Sequence, residues 1–383
     1  MKRRYLILLP LVGLLLLLQG CAFLEGVLKR EGEEEQQSSR PLQQEHLLLY
    51  HQSGQLELLT LVEGHQGIKR ATLLQLPHPV AWAMNEDQRE MVALCGDGMG
   101  GRKIHYLHLA MPAKASGQKA HEQTKPIAPL LKEVGQVTPQ YQSGRGHLAF
   151  SHDKVLLSSV EGHSIALGLI RKGQLRPADW YIDIAQSSPS EIASVAFSPD
   201  GKHLYVTDKG QRKSFHFRVN ETIPPLTIDH RDIELQEGEV PLRWSFSKDM
   251  KHGYLLLEGG AIQHYRMEQG AMLLQETLRT TLPECDQIAL DPKGGWLYAF
   301  GQGERKLLVC GIATDGSLTL VAEQLLKHPI GAICPSPTTQ WVAVQYEGMG
   351  GVQLYRSDRV RGTLEGRGMQ LTSGLLFGAL WIE

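Results

Sequence analysis

The sequence predicts an all-β chain, a seven-bladed β-propeller whose ring is closed by pairing of its N- and C-terminal strands. Two observations carry that prediction: a strand-turn-strand unit that recurs about every 45 residues, and a glycine hairpin that ends each unit. The clearest unit is Phe197-Ser198-Pro199-Asp200-Gly201, followed by His203-Leu204-Tyr205-Val206-Thr207-Asp208. Pro-Asp-Gly is turn chemistry, because proline presets φ and glycine accepts a positive one, and the flanks are β-branched and aromatic. With Phe197 as anchor, equivalents fall at Met84, Phe150, Phe246, Leu290 and Cys334, in steps of 66, 47, 49, 44 and 44 residues. An apolar residue or tyrosine recurs eight positions on, at Val92, Tyr205, Tyr254, Tyr298 and Val342. The Phe150 copy has a turn one residue shorter, which makes Leu157 its partner. The closing hairpins turn at Gly54, Gly173, Gly270 and Gly316. A period in the forties holding four short strands is the signature of a propeller blade.

Residues 1–20 read as a signal peptide. Lys2, Arg3 and Arg4 precede the apolar run Tyr5 to Leu18, too short for a comfortable membrane span. Leu18-Gln19-Gly20-Cys21 resembles the bacterial lipobox, which implies a lipidated Cys21 and stable anchoring by several acyl chains. Ala22 in the next position, rather than Asp, implies the outer membrane, with the domain facing the periplasm. Residues 21–45 are polar and acidic, with Glu31-Gly32-Glu33-Glu34-Glu35, and bury too little apolar surface to fold, so they read as a tether.

The propeller then occupies residues 46–383. His46 to His51 and Leu56 to Val62 form a first hairpin with no anchor unit upstream. The missing inner strand is expected from Leu375-Leu376-Phe377 and Ala379-Leu380-Trp381-Ile382, with an anchor near Leu380, in step with the period. Such closure removes two exposed sheet edges. The one long interval holds an insertion at about 111–143, with a short helix suggested over Ile127 to Val134; it adjusts binding or is a tolerated surface loop. The residues before the anchors are small (Ala83, Ala149, Ala196, Ser245, Ala289), a row able to receive bulky side chains of a neighbouring blade.

Without Lys2, Arg3 and Arg4 the chain has 36 basic and 41 acidic side chains and no basic block, which argues against nucleic acid as a partner. Cys95, Cys285, Cys310 and Cys334 lack ligand spacing and fall in or beside strands, so buried thiols are expected, with one disulfide left open. No metal or cofactor is implied. Gly98-Met99-Gly100-Gly101 and Gly348-Met349-Gly350-Gly351 lie between strands with no helix following, which makes them hairpin rather than phosphate glycines.

Leu76-Pro77-His78-Pro79, Gly144-Arg145-Gly146-His147, Ser159-Val160-Glu161-Gly162 and the Ser-Pro-Asp-Gly turn together resemble the seven-bladed lactonase family. That family includes the propeller-type 6-phosphogluconolactonases and carboxymuconate-lactonising enzymes and grades into YVTN-type surface propellers. The resemblance implies that His78, His147 and Glu161 match family positions. It also exposes departures: Gly146 fills an arginine slot, Arg145 a proline slot and Val160 an asparagine slot. Arg243, at the same offset before its anchor as His147, is the substitute cation on another blade. His147, Glu161 and Arg243 are therefore the candidate catalytic residues, and His78, Arg145, Glu191 and His328 the candidate ligand-binding ones. Opening a lactone needs a base for water and a donor for the oxyanion, which Glu or His and Arg supply.

Two functions follow. The first is a lipid-anchored, monomeric periplasmic module that binds an envelope protein or saccharide through its loop face. The alternative is a lactonase-like hydrolase of the 6-phosphogluconolactonase type. A fold alone does not confer the activity.

Overall fold

The turns predicted from Ser-Pro-Asp-Gly recur four times with one geometry. The backbone N–H groups of Gly201, Met250, Gly294 and Thr339 donate to the carbonyls of Ser198, Ser247, Asp291 and Ser336 at 2.7–3.0 Å. Each of the four donors has positive φ, 66°, 61°, 72° and 65° in chain order. In three of the turns the hydroxyl three residues before the donor caps the far side: Ser198 Oγ, Ser247 Oγ and Ser336 Oγ each accept the N–H that opens the next strand, at 3.0–3.2 Å.

The computed structural model describes residues 44–62, 68–85, 90–96, 101–109, 129–136, 148–151, 154–158, 164–171, 174–183, 190–220, 226–228, 233, 235–268, 271–347, 351–358, 360–372 and 376–382. They form strands and turns in seven four-stranded antiparallel sheets, with no helix among the described residues. Blades 2 to 7 begin with the strands Pro79–Met84, Leu148–Ser151, Ile192–Phe197, Pro241–Phe246, Gln287–Leu290 and Ile330–Pro335. Each of these innermost strands touches that of the next blade.

Blade 1 is the composite one. Its innermost strand, Leu376–Ile382, pairs antiparallel with Gln44–His51, matching His46 to Ile382 and Leu48 to Leu380. The C-terminal strand also meets both neighbouring blades: Trp381 Nε1 donates to the Cys334 carbonyl of blade 7 at 2.7 Å, and a Cβ at Gly378 would lie 2.6 Å from Trp82 Nε1 of blade 2. The ring is thus closed by the chain ends, as the period predicted.

Packing between blades is led by large side chains from the second strands. Tyr205, Tyr254 and Tyr298 pair in register with the small residues Ala196, Ser245 and Ala289, and all three are fully buried. Tyr205 lies on Trp244 and Phe246 of the next blade, Tyr254 Oη donates to the Gly316 carbonyl at 3.0 Å, and Tyr298 Oη lies 3.5 Å from Ser357 Oγ. The small row therefore leaves room for the ring that reaches the neighbouring blade.

Three local expectations are corrected. The anchor of blade 7 is Pro335, which pairs with Val342, and Cys334 belongs to the small row opposite Ala343. The turn in blade 3 is two residues shorter, so Ala149 faces Leu156, while Leu157 faces Leu148. The helix suggested over Ile127 to Val134 is replaced by the strand Pro129–Gln136, fourth of blade 2. Leu130, Leu131 and Val134 carry helical spacing, but the strand Arg102–Leu109 offers an open edge, and pairing with it satisfies the backbone. The rest of the expected insertion, like residues 1–43 of the leader and tether, lies outside the described residues, while Gln44 and Glu45, expected in the tether, already belong to the first strand. All four described cysteines are free; burial pushes the Cys285 and Cys310 thiols up to about 12 and Cys334 to about 11, which makes them unreactive.

Candidate functional site

One end of the ring is built from a repeated backbone clasp. A residue at the very end of the second strand or just after it donates its N–H to a carbonyl just before the innermost strand: Gly96 to His78, Lys209 to Glu191, Glu258 to Val240 and Glu347 to Pro329, at 2.8–2.9 Å. His78 and Glu191 therefore occupy the same place in blades 2 and 4. Glu239 and His328 stand one residue earlier in blades 5 and 7. Equivalent clasps bring these side chains to the same end of their blades, the end at which the innermost strands begin.

His78 and Glu191 are exposed there. Glu191 is held by a residue the sequence did not single out. Asp208, fully buried at the end of its strand, accepts the Glu191 N–H at 3.0 Å, the Gln211 N–H at 3.0 Å and Gln211 Nε2 at 3.2 Å, and Ser190 Oγ also donates to it. A carboxylate so fully supplied with donors is a brace, and its signal was an Asp ending a strand where no turn requires one. Glu239 is likewise committed: both its oxygens accept from Gln263 Nε2 at 3.0 Å, and one takes the Gln236 N–H at 2.8 Å. His328 sits edge-on to Tyr346 with ring centroids 5.4 Å apart. The Tyr346 hydroxyl bonds to that of Tyr355, which donates to Gln353 Oε1 at 2.8 Å.

Arg243 is the exceptional residue. It is the only charged side chain in any of the seven innermost strands as described. It follows a register shift in its strand that recurs after Pro79, Ile192 and Ile330, where Ala81, Ser194 and Ala332 stand in its place. The carbonyl of Leu242 is held by Thr207 Oγ1 of blade 4 at 2.8 Å. Trp244 and Phe246 also turn toward blade 4, stacked at 5.5 Å, with Trp244 Nε1 donating to Ser214 Oγ at 2.7 Å. Strand alternation sends Arg243 the other way. There burial pulls its guanidinium below the usual value, and Asp286, in the segment entering blade 6, acts in the opposite direction. Arginine nevertheless stays protonated in proteins. Asp286 Oδ1 is itself engaged by the Gln302 N–H at 2.8 Å. The arrangement is a fixed, half-buried cation at the end where the polar loops gather, a group suited to an anionic ligand or a developing oxyanion.

Of the sequence candidates, the structure thus places Arg243, His78, Glu191 and His328 at one end of the blades. Arg145, His147, Glu161 and Cys21 lie outside the described residues. No cluster of three or more metal-ligating side chains occurs among the described ones.

A family model described as "Lactonase, 7-bladed beta-propeller" matches residues 171–374. Among solved structures, a candidate 6-phosphogluconolactonase of Bacteroides uniformis superposes with a TM-score of 0.71 at 18% identity, over 88% of this chain and 99% of that one. The periplasmic gluconolactonase of Pseudomonas aeruginosa gives 0.70 at 19% identity, over 89% and 99%. A Lactobacillus plantarum protein gives 0.68 at 18%, over 89% and 100%. At these identities the likeness is one of fold. No curated protein matches the sequence.

Proposed function

The chain belongs to the seven-bladed β-propeller lactonase family, and from that premise we propose that it hydrolyses the cyclic ester of an unphosphorylated sugar acid at the bacterial cell envelope. The observation that carries the proposal is Arg243, the lone charge among the innermost strands as described, at the end where the described polar residues gather. In this reading a base takes a proton from water as its oxygen attacks the lactone carbonyl, and Arg243 stabilises the resulting oxyanion. The ring C–O bond then breaks, the ring oxygen is protonated, and the open hydroxy acid leaves. His147 and Glu161 are the sequence's nominees for the base. In this reading Leu18-Gln19-Gly20-Cys21, which resembles a lipobox, directs the domain out of the cytoplasm, away from phosphorylated sugar lactones, which is why the substrate class is unphosphorylated. The periplasmic gluconolactonase with the same fold is consistent with that compartment.

The second reading, a displayed module that binds an envelope protein or saccharide, draws on one feature, the replacement of the family's arginine by Gly146. Incubating the full chain with a panel of gluconic and related lactones separates the two. Turnover abolished by Arg243→Ala and by His147→Ala or Glu161→Ala, in folded protein, supports the hydrolase. A folded chain with no turnover above buffer on every lactone leaves the binding module.

A further inference from the structure

Blades 4 and 5 each carry a histidine pair at the end opposite the candidate site. His203 Nδ1 and His216 Nε2 are 2.9 Å apart, and His252 Nδ1 and His264 Nε2 are 3.0 Å apart. The pairs are structural equivalents: the first member opens the second strand, and the other faces the buried tyrosine two residues on, Tyr205 or Tyr254. The tyrosine rings lie over His216 at 4.6 Å and His264 at 5.3 Å. His216 and His264 are buried, and Nδ1 of His264 has no hydrogen-bond partner among the described residues.

The blade 5 pair is covered by the outer hairpin of blade 6. Gly316, at φ +85°, lies so close that a Cβ there would sit 2.2 Å from His252 Nδ1 and 2.5 Å from His264 Nε2. The hairpin is closed by the Ala313 N–H to Ser317 carbonyl bond at 2.9 Å and tied to blade 5 by Tyr254 Oη on the Gly316 carbonyl. Neutral histidines meet here through one N–H···N bond, and a single added proton preserves it. Two added protons place two N–H⁺ groups face to face at about 3 Å, and with His264 buried the contact opens only if the hairpin moves.

We propose that the His252–His264 contact is an acid-sensitive latch that holds the Ala313–Ser317 hairpin of blade 6 against blade 5 and releases it when both rings are charged. The charges facing the pair are Asp249 and Lys251 in the turn before it, Arg266 on its own sheet, Glu276 on the outer strand and Asp315 in the hairpin. The carboxylates favour a first proton; burial, the cations and the partner ring oppose a second. Burial lowers both His252 and His264 from 6.5, and His252 lowers His264 further. The folded chain thus binds fewer protons than the unfolded one. Stability is complete above about pH 6.5 and falls as pH drops below it, by about tenfold in the equilibrium constant per pH unit for each proton excluded.

Blade 7 supplies an internal control. Its hairpin packs Gly362 on Trp296, the residue equivalent to His252, without a histidine. Amide exchange of the full chain, corrected for intrinsic rates, is compared at pH 7.5 and 5.0. The expected result is at least a tenfold loss of protection in residues 313–317 at pH 5.0, with residues 358–363 little changed. Equal changes in both hairpins, or none in the first, overturn the latch. His264→Gln keeps a donor at the contact and cannot charge, so residues 313–317 should stay protected at pH 5.0; loss equal to the parent's overturns the proposal. Should that variant fail to fold, ring NMR of the parent decides: two separate titration steps for the pair support the latch, and one ordinary step for both rings refutes it.

Discussion

Trp381 Nε1 donates to the carbonyl of Cys334 at 2.7 Å, and that bond joins the last strand of the chain to the innermost strand of blade 7. The indole is buried and packs in the cluster shared by Leu47, Leu49, Ala343 and Leu354. A single residue therefore contributes both an apolar body and a donor to the seam that closes the ring. Trp381→Phe keeps most of the body and leaves the carbonyl without its donor, at an expected cost of about 1–2 kcal/mol. Trp381→Ala should cost about 3–5 kcal/mol. Urea denaturation of the two variants measures the difference: no loss for Trp381→Phe would assign the seam to packing alone, and equal losses would assign it to the indole donor.

The positive φ of the blade turns is met by glycine at Gly201 and Gly294, but by Met250 and Thr339 elsewhere. A side chain in the left-handed region costs about 1–2 kcal/mol, and β-branched threonine is the worse case. Thr339→Gly and Met250→Gly should each stabilise the chain by about 0.5–1 kcal/mol, since glycine's greater unfolded-state entropy offsets part of the relief. Thermal melts check the sign; a lower melting temperature for Thr339→Gly would show that its side chain contributes contacts that outweigh the backbone strain.

Arg243 should show opposite effects on stability and turnover. A half-buried guanidinium whose nearby counter-charge is Asp286 is poorly compensated, so Arg243→Met should melt at or above the parent temperature. Lactone turnover should fall by about 10²–10³ in kcat if the cation serves the oxyanion. Melting and steady-state rates on one preparation test both halves.

Cys21→Ser should release the protein from membranes or stall its processing, because anchoring is expected to depend on acyl chains at that thiol. Fractionation of cells producing the variant is the measurement, and unchanged partition into membranes would refute lipidation at Cys21.

The period, the turn chemistry and the composite blade were legible in the linear sequence because each is written in a short window. Ser198-Pro199-Asp200-Gly201 dictates its own turn, and the apolar run near Leu380 falls in step with the anchors whatever surrounds it. Register was legible only to within a residue or two. Cys334 and Pro335 are both acceptable anchors until Ser336 is seen capping its turn, and the Leu130, Leu131 and Val134 spacing reads as helix until an open sheet edge is beside it. The recurrent ends of the clasps were invisible as well, because a backbone carbonyl has no letter. What lay furthest from reach was any relation between distant strands, within one blade or across two. Asp208 beneath Glu191, Asp286 near Arg243, and Gly316 against His252 and His264 join residues about 17 to 64 positions apart, brought together by strand pairing and ring closure rather than by local preference. Arg243 stood out in the sequence only as an offset before an anchor; its isolation among six other, uncharged innermost strands exists once the seven have gathered at one axis.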